Sequence, residues 1–76
     1  MTPAQEKNEA DSIDAFVAEI MEAARYPGMD AGTTYVIVMA ARAAATMAPR
    51  TQDGSIDAGI ATEMLRRAAR GLARLR

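Results

Sequence analysis

The sequence predicts an all-α protein of three helices whose small core is completed by homodimerisation. Three observations carry that expectation. Apolar residues recur at helical spacing in two separate segments, an Ala- and Met-rich segment bounded by Gly and Pro lies between them, and the only β-branched run has no second strand to pair with. The chain is 76 residues long, with neither Cys nor His. A domain of that size buries a modest fraction of its surface and usually gains stability from disulfides, metal or oligomerisation. Without Cys or His the first two routes close, which leaves association.

The first ten residues, rich in polar side chains, are expected to be disordered, with a single three-helix domain over residues 11–76. Helix 1 is expected over about 12–26. Ile13, Phe16, Val17, Ile20, Met21 and Ala24 follow the i, i+3, i+4, i+7 pattern behind Ser12, a favourable N-cap residue, and Pro27 with Gly28 ends the run. Helix 2 is expected over about 34–48, capped by Thr33 or Thr34 and stopped by Pro49. Its first half, Thr33 to Val38, has strand-like composition, but an isolated six-residue strand would lack a partner. Only Tyr35, Arg42 and Thr46 make a polar strip on this helix, so its remaining surface reads as buried. Two flanking helices can hardly cover it, and a dimer interface through Val36, Ala40, Ala41, Ala44 and Ala45 is the simplest cover. A loosely packed monomer is the alternative.

Helix 3 is expected over about 55–75, with Ser55 as cap and an apolar arc of Ala61, Met64, Leu65, Ala68, Leu72 and Leu75. The tetrapeptide Ser-Ile-Asp-Ala occurs twice, at 12–15 and 55–58, and both copies read as helix-start chemistry, with an ancient duplication as the other explanation. The Asp53–Asp57 stretch resembles the middle of an EF-hand calcium loop, yet Pro49, Thr51 and Ile60 stand where ligands are required. No metal and no cofactor are expected.

Charge is distributed unevenly. Residues 1–30 carry Glu6, Glu9, Asp11, Asp14, Glu19, Glu22 and Asp30 against Lys7 and Arg25, whereas residues 31–76 carry seven Arg against Asp53, Asp57 and Glu63. On helix 3, Arg66, Arg67, Arg70 and Arg74 fall on one arc opposite the apolar one. Such a stripe can be a solvated face complementing the helix dipole, a dock for an acidic protein, or a phosphate-tracking surface. Nucleic acid ranks below protein, because the net charge is −1 and helix 3 has no aromatic for base stacking. Tyr26, Met29 and Tyr35 are candidate exposed partner contacts. Met21, Met39, Met47 and Met64 read as core filling.

Catalysis has little to use: no His base, no Cys nucleophile and no phosphate-binding glycine spacing around Gly28 and Gly32. The longest apolar run, Tyr35 to Ala41, is far shorter than the roughly 20 residues of a membrane span. The N-terminus has neither the basic nor the apolar region of a secretory signal, and a cytoplasmic location is expected. These features point to a small non-enzymatic regulator, inhibitor or adaptor that binds a larger protein stoichiometrically. A nucleic-acid binder using the Arg stripe and a self-assembling structural subunit are the alternatives.

Overall fold

Helix formation starts at the second residue. In the computed structural model, which describes residues 1–74, Thr2 is extended (φ −78°, ψ 160°) and its hydroxyl accepts a hydrogen bond from the Gln5 backbone N–H at 3.2 Å. Gln5 Oε1 in turn accepts the Thr2 N–H at 2.9 Å, closing a capping box with Pro3 at the first helical position. Helix α1 therefore spans Pro3–Ala24. This corrects two expectations: residues 1–10 are largely helical, and Ser12 lies inside the helix instead of capping it. The helix ends two residues earlier than expected, with Arg25 extended at the C-cap and its N–H donating to the Met21 carbonyl at 3.0 Å.

Helix α2 spans Ala31–Met47 and α3 spans Ala58–Arg74. The protein is an all-α assembly of three helices, and Thr33 to Val38 is helical. The cap of α2 is Asp30, whose carboxylate accepts the Thr33 N–H at 2.6 Å, so Thr33 and Thr34 belong to the first turn. The cap of α3 is Asp57, which accepts the Ile60 N–H at 3.0 Å, so Ser55 is displaced from that role as well. Asp30 is extended (φ −81°, ψ 168°) immediately before α2, and Asp57 immediately precedes α3, so each carboxylate is placed to accept an N–H of the first turn.

Charged pairs fix the direction of the first two helices. Arg42 meets Asp14 at 3.4 Å and Arg50 meets Glu9 at 2.8 Å, so advancing along α2 retreats along α1 and the two are antiparallel. Beyond α2 the chain turns through a short irregular segment in which Arg50 and Ile56 form an antiparallel bridge. Polar side chains of α1 hold this segment. Gln5 Nε2 donates to the Gln52 carbonyl at 3.2 Å, Asn8 Nδ2 donates to the Asp53 carbonyl at 2.9 Å, and the Ser12 hydroxyl accepts the Ile56 N–H at 3.0 Å while donating to the Glu9 carbonyl. Arg50 also donates to the Ala45, Thr46 and Ala48 carbonyls, satisfying groups left open at the end of α2. The two Ser-Ile-Asp-Ala copies thus differ in conformation, one inside a helix and one before a helix, and they touch each other through Ser12 and Ile56.

The buried core consists of Phe16, Val17, Ala41, Ala44, Ala45, Ala48, Ile56 and Ala61, with Ile13, Ile20, Val38, Met64 and Leu65 packed at its margin. Five of its eight buried members are Ala, so the helices approach closely but each contact removes little apolar area from water. Ala41, Ala44 and Ala45 face this core. Ala41 and Ala45 are fully buried within the chain and leave no surface for a second one, which corrects that part of the expected dimer surface, whereas Ala44 also lines the groove described below. Within the single chain α2 is not buried all round: Met39 and Met47, expected to be core filling, are exposed at 48% and 70%. Met21 and Met64 are half-buried.

The loop carboxylates make acid sensitivity legible. Asp30 is held below the usual carboxylate range chiefly by the Thr33 N–H, and Asp53 chiefly by the Thr51 hydroxyl with help from the Ser55 N–H. A lowered folded-state pKa gives stability that is present above the ordinary carboxylate range and is lost as pH falls through the lowered value. The Thr33 amide resonance should therefore follow the Asp30 titration with a midpoint below about 3.9, and a midpoint at or above it would contradict this cap.

Candidate protein-binding surfaces

The last turns of α3 are exposed. Ala61 is buried and Met64 and Leu65 are half-buried, but every residue from Arg66 to Arg74 is exposed, including Leu72 at 67%. Helical spacing places Arg66, Arg67, Arg70 and Arg74 on one side of this projection. Glu63 Oε1 reaches Arg67 Nε at 3.5 Å and Arg70 at 3.0 Å, and it is the sole carboxylate on this helix. Arg66 and Arg74 form no ion pair among the described residues. One acid against four guanidiniums leaves a basic face that water and salt screen but do not neutralise. The side chains of Arg67, Arg70 and Arg74 line a shallow depression of about 250 Å³ over Gly71. Leu75, expected to extend the apolar arc, lies outside the described residues.

A second surface is apolar. Ala40, Ala43, Ala44 and Met47 of α2 and Met64, Leu65 and Ala68 of α3 line a groove of about 230 Å³. Val36, on the same side of α2 by helical spacing, is exposed at 65%, and Tyr35, on the polar strip, at 66%. Of the residues singled out in the sequence as an interface, Val36 and Ala40 are on this exposed side. Met39, Ala43 and Met47 join them and were missed. Their spacing of three and four residues was visible, but in an Ala-rich helix the inner and outer sides have nearly the same composition.

Tyr26, exposed at 51%, and the half-buried Met29 sit in the turn between α1 and α2, where the Met29 N–H donates to the Tyr26 carbonyl at 3.2 Å and Gly28 adopts φ +85°. Among the described residues no hydrogen bond or ion pair joins this turn or Tyr35 to Arg66, Arg67, Arg70 or Arg74. No cluster of three or more potential metal-ligating side chains occurs among the described residues, and no helix there is long and apolar enough to cross a membrane. Compared with known proteins, the chain matches no family, no curated sequence and no solved structure.

Proposed function

We propose that this chain is a small non-enzymatic regulator, inhibitor or adaptor that acts by stoichiometric binding to a larger, acidic protein, with the basic side of α3 as its dock. The observation that carries this reading is the projection of Arg66 to Arg74, every residue of it exposed, with four arginines opposed among the described residues by Glu63 alone. A purely solubilising face needs no such projection, because arginines on a packed helix dissolve a protein equally well. Arg suits a carboxylate-rich partner, since its planar fork can bond a carboxylate through two parallel N–H groups. The apolar side of the same projection, with Ala68 and Leu72, supplies contact area that charge alone does not.

Charge reversal tests the reading. The variant Arg66→Glu, Arg70→Glu, Arg74→Glu alters exposed positions only and should keep its helical circular dichroism while losing capture of its protein partner. Titration of the unaltered chain with duplex DNA and with single-stranded RNA at low salt should show no binding. Tight binding whose affinity falls steeply with salt, and which the triple variant abolishes, would replace the protein reading by the nucleic-acid one.

A further inference from the structure

We infer that the outer side of α2 is the interface with a second copy of this chain, the two α2 helices lying antiparallel. The exposed residues Val36, Ala40, Ala43 and Met47 are separated by four, three and four residues, the spacing of a two-helix seam, with Met39 beside them. That spacing is symmetric about the midpoint between Ala40 and Ala43. In an antiparallel pair, Val36 of one copy meets the second copy's Met47, and Ala40 meets the second copy's Ala43. Large side chains then oppose large ones at the two ends and Ala opposes Ala in the middle, which allows a close helix approach. The isologous arrangement satisfies both copies with one surface.

Charge and area favour a second copy over another occupant. The seam contains no ionisable residue, and Arg42, the one charged residue of α2, is already paired with Asp14 at 3.4 Å. Two copies can therefore meet without like charges opposed, whereas an acidic partner gains nothing from this face. The chain measures 43 × 25 × 15 Å, large enough on its broad side for the roughly 800 Å² per partner that a stable interface covers. Met64, Leu65 and Ala68 form the far wall of the groove and give the incoming helix a second contact. The Arg side of α3 is not used, so the dimer leaves the arginines of the protein dock free, the two surfaces sharing only Ala68.

Light scattering at micromolar concentration should give about twice the chain mass of 8.1 kDa. Ala43→Glu should weaken association at least about 100-fold, because it leaves an uncompensated charge in a closed seam, while circular dichroism stays helical. Because the chain has no Cys, single-Cys variants report the arrangement without background. Val36→Cys mixed with Met47→Cys should link through a disulfide on mild oxidation, and Val36→Cys alone should not. A chain that is monomeric throughout, or a dimer unmoved by Ala43→Glu, would overturn the interface. Self-linking of Val36→Cys as efficient as the mixture would overturn the antiparallel arrangement.

Discussion

Replacing Phe16 by Ala should remove most of the protein's stability and leave up to about half of the population unfolded at 25 °C. Phe16 is the only Phe in the chain and the largest member of a buried core made mostly of Ala. Truncating a buried Phe costs about 3–5 kcal/mol through lost transfer energy and the cavity left behind. The whole stability of a domain this size is on the order of 5 kcal/mol, so the loss is most of what there is. The neighbours cannot collapse to refill the space, because Ala41, Ala44 and Ala45 have no side-chain length to extend. Phe16→Leu keeps most of the volume and should cost less than about 1.5 kcal/mol. Chemical denaturation of both variants checks the pair, and equal effects would show that the site is not the packing centre described here.

Gly54→Ala should be nearly as damaging, for a different reason. Gly54 adopts φ +91° where the 50–57 segment passes over α1, and a Cβ there would lie 2.5 Å from the Gln5 carbonyl oxygen and 2.8 Å from Gln5 Cα. The obstacle includes helix backbone, which a rotamer change cannot move. Positive φ alone costs a residue with a Cβ roughly 1–2 kcal/mol, and separating the segment from α1 adds the Gln5–Gln52, Asn8–Asp53 and Ser12–Ile56 hydrogen bonds to the loss. A total of about 2–4 kcal/mol is expected, read as a lowered denaturation midpoint. Hydrogen exchange should quicken first in the N-terminal turns of α1, whose docking site is removed. Wild-type protection at Gln5, Asn8 and Ser12 would contradict the account.

Both predictions rest on features that differ in how well the sequence announces them. Three helices and the turn around Gly28 follow from periodicity and from Pro and Gly placement, which are local signals. The start of α1 was equally local: Thr2-Pro3-Ala4-Gln5 is a capping box with Pro at its favoured position, and the polar composition of the following residues masked it. Ser12 shows the opposite case. It has the chemistry of a cap, but that chemistry serves a bond to Ile56, 44 positions away, which no local pattern announces. The close approach at Gly54 is likewise a tertiary fact. In α2 the difficulty was lack of contrast, since Ala40 and Ala43 lie outside while Ala41, Ala44 and Ala45 lie inside, and only the packed partners separate them.

The Arg stripe was legible because charge and helical spacing together place four like side chains on one side. Its exposure from Arg66 onward was not, because it depends on how α2 and α3 pack. That projection carries the functional proposal, and it can be addressed directly. The measurement is co-purification of tagged chain from the native host's lysate after nuclease treatment, run in parallel with the Arg66→Glu, Arg70→Glu, Arg74→Glu variant. One protein should be recovered at stoichiometric level by the unaltered chain, resistant to nuclease and absent with the variant. Recovery that vanishes on nuclease treatment, or that the variant retains in full, would contradict it.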